Sequence, residues 1–431
     1  MSSAPISAQD SCSSDFPSTP HRPAAASLAS TFASLSVPNF RRFASGQIVA
    51  NTGGWVQRIA QDWLVLTITG SATAVGVTTA LQFLPTLLFG LVGGMVADRY
   101  PKRRILLCTQ LGMALMAAVL ASLTLSGQVR AWHVYAVAAG LGLLTALDNP
   151  TRQSFVNEMV GPEHLRNAIS INSSIFQAAA LIGPAISGVL IHAVGPGYAF
   201  TVNALAYAGP ITALLLLRGD ALATRPAAAA APGRLGDGLR YLAARPHMLW
   251  PTVLVGVFGL FTINLPVTLA AYARSVYHSG PGGYGLLSSV VAVGSLAGCL
   301  VSARRSRTRL RGLVAIGLAL AAAEMLAASA PNEWSYCLVL TVVGATTLLM
   351  QTSANSMVQL AADDAVRGRV MGVYLLVFFG SGSLGGPLVG GIDQHLGPRI
   401  GMLLAGAAPA LATVAVAVKL AREGRLSASA A

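Results

Sequence analysis

Charge is what this sequence has least of. Of its 431 residues only 10% are charged, and lysine is confined to Lys102 and Lys419; soluble domains carry about a quarter charged residues. Whole stretches hold no charge at all, among them residues 73–97 and 105–129. Each exceeds the ~20 residues that cross a ~30 Å hydrocarbon core. Their number excludes a soluble globular protein. Cysteine is equally sparse: Cys12, Cys108, Cys299 and Cys337 share no metal-ligand spacing. They read as buried free thiols, with no disulfide framework and no metal site. No Gly-x-x-x-x-Gly-Lys phosphate loop occurs, which argues against direct drive by ATP. The seven histidines are scattered from His21 to His395 and form no constellation with paired acids, so neither an enzyme nor a cofactor is expected. The net charge of +13 comes from basic residues spread over short segments between apolar runs. That distribution points to a lipid bilayer as partner and not to a nucleic acid.

What is abundant is apolar helix. The chain is 54% hydrophobic, with 45 glycines and 22 prolines. In membranes, small residues let helices approach closely, and neighbouring helices satisfy the carbonyls that prolines free. An all-α protein with twelve transmembrane helices is predicted. Six lie near Phe43–Thr69, Thr73–Val96, Ile105–Leu125, Trp132–Val156, Asn167–Val194 and Tyr198–Leu217, and six more start near Met248, Tyr284, Leu313, Trp334, Val366 and Ile400. Residues 1–38 read as a disordered cytoplasmic tail, 39–217 as a six-helix bundle, 218–246 as a cytoplasmic linker, 247–420 as a second six-helix bundle and 421–431 as a cytoplasmic tail. Within the linker, Arg234–Leu242 reads either as a short amphipathic helix on the bilayer or as plain connection. With the N-terminus inside, the Arg99–Arg104 and Arg304–Arg311 clusters and the linker arginines fall on the cytoplasmic side, and only Arg130, Arg274 and Arg399 fall outside. This is the positive-inside pattern of a multi-pass protein of a bacterial inner membrane with both termini cytoplasmic.

The two halves repeat. Gly183-Pro184-Ala185-Ile186-Ser187-Gly188 recurs as Gly386-Pro387-Leu388-Val389-Gly390-Gly391, and each copy follows an arginine-led segment and precedes a Gly-Pro turn. Two like bundles about a pseudo-two-fold axis along the membrane normal, with a substrate path between them, are the expected arrangement.

Three segments carry a family resemblance. Gly94-Met95-Val96-Ala97-Asp98-Arg99-Tyr100-Pro101-Lys102-Arg103 resembles the loop 2–3 signature of the major facilitator superfamily, with Pro101 in place of a glycine. Gly183 to Gly188 resembles its helix-five antiporter motif, with Ser187 as a departure and a fuller copy in helix eleven. Trp63–Ala72 and Asp148–Val156 are similar to the drug:proton antiporter subgroup that contains macrolide-efflux pumps and the enterobactin exporter. The resemblance implies proton-driven export of a small molecule by a monomer. It also implies that Asp98 caps the start of helix eleven near Arg367 and Gly368, closing a cytoplasmic gate and holding the outward-facing state.

Ionisable residues inside a bilayer cost ~2.5–3.5 kcal/mol on insertion scales, so each is a functional suspect. Arg58 and Asp62 lie one turn apart on helix one, about 22 and 28 Å above Phe43 at ~1.5 Å per residue, and are expected to pair. They and Glu324 in helix nine are the proton-coupling candidates. Asp148, about 24 Å below Trp132, is expected to pair with Lys102 or Arg152. The cytoplasmic gate set is thus Gly94, Asp98, Arg99, Lys102, Arg103, Asp148, Arg152 and Arg367. Gly183, Pro184, Gly188, Gly386, Pro387 and Gly390 are expected to bend helices five and eleven. The substrate cavity candidates are Asn51, Trp55, Phe176, Gln177, Phe261, Asn264, Gln351 and Tyr374, a mixed set that suits a bulky amphiphile. A nutrient importer and a lipid scramblase- or flippase-like carrier are the alternatives.

Overall fold

The computed structural model describes residues 32–217, 235–304, 309–363 and 366–422. Most of the expected N-terminal tail, residues 218–234 of the linker, residues 305–308 of the second arginine cluster and the last nine residues lie outside them. The described chain is helical, with no strand. Twelve long helices run as α1 Pro38–Thr69, α2 Ala72–Arg99, α3 Lys102–Leu125, α4 Ala131–Gly161, α5 Glu163–Val194, α6 Pro196–Leu215, α7 Pro246–Val276, α8 Gly280–Arg304, α9 Leu310–Ala328, α10 Glu333–Ala361, α11 Arg367–His395 and α12 Pro398–Arg422. Eleven of them are long and apolar enough to cross a membrane by length and composition. The exception is α1: its 32 residues are ample in length, but they carry Arg41, Arg42, Arg58 and Asp62 among several Gln and Asn.

Local chemistry sets the ends. Gly70 closes α1 with φ of 69°, in the left-handed region open to glycine. The Ser71 hydroxyl accepts from the Ala74 amide to open α2, and the Asn332 carboxamide accepts from the Ser335 amide to open α10. The loop expected between helices four and five is nearly absent. Both helices extend until they meet at Gly161, whose φ of 69° turns the chain in a single residue. Inside α7 the helix breaks at Ile263 and Asn264, because Pro266 has no N–H to offer the Thr262 carbonyl.

The halves meet along two equivalent seams, α5 against α8 and α11 against α2. In each, helix five of one half lies on helix two of the other, as a pseudo-two-fold requires. Backbones touch at both. A side chain at Gly285 would meet the Pro184 carbonyl at 2.6 Å, one at Gly188 would meet Gly285 Cα at 3.1 Å, and one at Gly386 would strike the Gly76 backbone. The Gly-Pro motifs therefore form the surfaces on which the halves touch. The segment Leu235–Ala243 is indeed helical. It packs on α7 and α11, with Leu242 buried and the Tyr241 hydroxyl donating to Asp363 at 2.5 Å. Cys12 lies outside the described residues; among the other three cysteines, Cys337 is buried and Cys299 half-buried, but Cys108 departs from expectation in being exposed on α3.

Candidate functional site

A cavity of about 350 Å³ lies within the first half. α1 lines it with Gln47, Asn51, Trp55, Gln57, Arg58 and Gln61; α2 with Gln82 and Phe83; α3 with Gln110; α4 with Asp148, Asn149 and Arg152; α5 with Phe176; and α6 with Asn203 and Tyr207. Phe379 on α11 is the one described lining residue from the second half. The polar face of α1 explains its low hydropathy: its amides point inward, away from lipid.

Asp148 is buried and organises one wall. Its Oδ1 accepts from Thr109 Oγ1 at 2.8 Å and from Gln110 Nε2 at 2.9 Å, and its Oδ2 lies 3.6 Å from Arg152 Nε. Arg152 in turn donates to Gln47 Oε1 at 2.8 Å and Asn149 Oδ1 at 2.6 Å. Of the two expected partners of Asp148, Arg152 is engaged; Lys102 instead pairs with Glu158 at 2.7 Å.

Arg58 and Asp62 share a helix face, yet no hydrogen bond or ion pair joins them. Partners from other helices claim each: Arg58 Nε donates to Gln82 Oε1 at 3.1 Å, and the guanidinium sits 5.7 Å from the Trp55 ring and 5.2 Å from the Phe83 ring. Asp62 is buried and its Oδ2 accepts from the Tyr284 hydroxyl on α8 at 3.0 Å, across the seam between halves. Trp63 stacks on the same tyrosine. Glu324 is buried on α9 with Oε2 unpaired, away from the cavity.

The remaining expected cavity residues divide. Asn51, Trp55 and Phe176 line it; Gln177 does not. Gln351 lines a separate space of about 130 Å³ in the second half, with Val255, Phe258, Thr262, Thr347 and Phe378. Phe261, Asn264 and Tyr374 line neither space and are buried. Asn264 caps the break in α7 by donating to the Leu260 carbonyl at 3.0 Å, close against Gly385 of α11.

The two ends of the molecule differ. At the end marked by Gly70, four hydrogen bonds join the halves: Tyr284 to Asp62, the Ala72 amide to Gln394 Oε1 at 2.8 Å, Thr73 Oγ1 to the Gly390 carbonyl at 3.2 Å, and Arg274 to the Leu66 carbonyl. At the opposite end, two bonds of motif residues lie within a single half each. Arg103 donates to the Leu215 carbonyl at 2.9 Å, and Arg367 to the Gln359 carbonyl at 3.2 Å. Asp98 and Arg99 are exposed, and Gly94 faces open space. Asp98 makes no hydrogen bond to α11, whose first turn has no side-chain cap. The expected cap is therefore not formed in this conformation, in which the halves are joined at the Gly70 end.

With this geometry in hand, the profile of the transmembrane secretion effector family matches residues 29–429. The chain belongs to this family of major facilitator transporters. The multidrug efflux pump Tap of Mycobacterium tuberculosis is 27% identical over 394 residues, 86% of this chain and 91% of that one. The staphyloferrin A transporter of Staphylococcus aureus is 31% identical over 166 residues, 38% of this chain and 42% of that one. The enterobactin exporter EntS of Citrobacter koseri is 24% identical over 351 residues, 78% of each. Among solved structures, a POT family transporter superposes with a TM-score of 0.71 at 12% identity, covering 90% of this chain and 97% of that one. A bacterial homologue of the lysosomal transporter Spinster gives 0.66 at 16%, covering 90% and 96%. This major facilitator chain is a multi-pass membrane transporter and not an enzyme.

Sequence reasoning missed several residues of this transporter's cavity: Gln57, Gln61, Gln82, Gln110, Asn203, Tyr207 and Phe379. The amides carry a weak signal, being uncharged polar groups inside long apolar runs. Tyr284 and Asp393 were missed as well; Asp393 is buried near the end of α11, close against Gly401 of α12.

Proposed function

We propose that this transporter exports bulky amphiphilic small molecules, a drug, natural product or siderophore, across a bacterial plasma membrane by alternating access in exchange for protons. One observation carries the reading. A cavity of substrate size with a mixed polar and apolar lining lies beside seams that are bonded at the Gly70 end, while at the other end Asp98 makes no bond to the first turn of α11. By the positive-inside rule the Gly70 end faces out and the loop 2–3 end faces the cytoplasm, so the cavity is poised to load from inside. The exposed Asp98 then belongs to the reverse state, where it would cap α11 as the cytoplasmic side closes. Residues 39–217 and 247–420 act as the two rocking bodies of a monomer, joined through the linker. Asp62 is the favoured proton carrier, because it alone of the candidate acids bonds across a seam.

The names of Tap and EntS support export over a nutrient importer. The coupling is tested by drug accumulation in cells stripped of their own pumps, with and without a protonophore. Expression should lower accumulation, the protonophore should restore it, and Asp62→Asn should abolish the energised component. Export that persists without a proton gradient would remove the proton from the mechanism, and wild-type export by Asp62→Asn would remove Asp62.

A further inference from the structure

We infer that the cavity holds an anion-recognition subsite centred on Arg58, and that the transported molecule presents an ionised oxygen group together with hydroxyl or amide groups. This rests on the cavity being the substrate path. Three charged side chains line it: Arg58, Asp148 and Arg152. Asp148 is already engaged by Arg152, Thr109 and Gln110, which leaves Arg58 as the lining charge without an ion pair among the described residues. Asp62, one turn along, is outside ion-pair reach and bonds Tyr284 instead. The Arg58 guanidinium makes a single hydrogen bond among the described residues, from Nε to Gln82; its two terminal nitrogens have no acceptor. Trp55 and Phe83 hold the planar group from its sides. A fixed guanidinium with its terminal N–H groups free is the geometry that takes a carboxylate or paired oxyanion in bidentate fashion.

A second observation describes the rest of the ligand. Four amides of the same lining are at least nine-tenths buried, and each leaves one atom without a partner: Gln57 Nε2, Gln61 Oε1, Gln110 Oε1 and Asn203 Oδ1. Buried polar atoms are seldom left unpaired without reason. These atoms are closed off from the open space in this conformation, Asn203 Oδ1 lying against Gly53; a turn of Gln61 or Gln110 brings an acceptor to an occupant that carries hydroxyl or N–H donors. A lipophilic cation supplies neither the anion for Arg58 nor those donors, and the lining's one carboxylate is occupied.

The test uses the full chain in lipid nanodiscs, titrated by fluorescence anisotropy against fluorescein, an anionic hydroxylated dye, and ethidium, a planar cation, with empty nanodiscs subtracted. Wild type should bind fluorescein more tightly than ethidium. Arg58→Gln should weaken fluorescein binding by roughly tenfold or more through loss of the charge-assisted pair and leave ethidium no weaker. Arg58→Lys should fall between, keeping charge without the fork, and Gln351→Ala should change neither. The wild-type preference needs no variant, so a misfolded Arg58→Gln does not block the test. Ethidium bound as tightly as fluorescein, or fluorescein affinity indifferent to Arg58→Gln, overturns the subsite alone. If fluorescein, ethidium and neutral Nile red all fail to bind, the substrate cavity falls with it.

Discussion

The segment from Pro184 to Gly188 on α5 and that from Gly386 to Gly390 on α11 serve matching seams, yet the halves they belong to enclose different spaces. The first half surrounds about 350 Å³ lined with glutamines, asparagines and two arginines. The second encloses about 130 Å³ between Val255, Phe258, Phe378 and a few polar side chains. The adjacent rings of Phe378 and Phe379, 5.5 Å apart, face the two spaces separately. The repeat has thus been kept where backbones touch and lost where a ligand would sit. Close approach tolerates almost no side chain, whereas a cavity tolerates any lining that satisfies its polar atoms.

Five substitutions bear on that contrast. The largest effect is expected from a leucine in a seam. Gly386→Leu drives a side chain into the Gly76 backbone, and Gly188→Leu meets Gly285 Cα and the Pro281 carbonyl, both at 3.1 Å. Overpacking of this kind costs ~1–3 kcal/mol or more, and both variants should lose export when normalised to membrane abundance. A seam that accepts leucine at one site and not at the other would break the equivalence of the halves. Next, Asp148→Asn should lower transport by about tenfold or more, since it strips Arg152 of its partner inside a buried network, while Gln351→Ala should leave transport within about twofold. Comparable losses, measured as initial efflux rates, would mean that the second half carries binding too. The smallest effect is expected from Tyr284→Phe, which removes one of the four bonds at the Gly70 end and leaves the other three in place. Spin labels at Gln128→Cys and His395→Cys in a cysteine-free background should report a larger open fraction at that end; an unchanged distance distribution would show that the bond does not hold the halves.

The fold was legible because hydropathy and positive charge act over whole segments, and small errors at helix ends do not alter either. The site was legible only in part. Helical spacing correctly put Arg58 and Asp62 on one face, but Gln82 and Tyr284, from helices that spacing along α1 says nothing about, draw them apart. Asn264 and Tyr374 were assigned to the cavity on the assumption that both halves line it alike. The helix break at Pro266 and tight packing at Gly385 bury Asn264 instead. Asp148 was placed near Arg152 because four residues on a helix fix that neighbour, whereas its bonds to Thr109 and Gln110 depend on how α3 packs on α4.

The polarity of α1 has a consequence for how the protein is made. The earliest of the twelve spans to be synthesised is also the one least able to partition into lipid by itself. Its residence in the bilayer comes from α5 and α6, against which it packs and which leave the ribosome much later. A nascent chain halted after α2 is therefore expected to leave Gln47 and Gln57, once changed to cysteine, open to aqueous thiol reagents, and to become protected only when the sixth helix has been added.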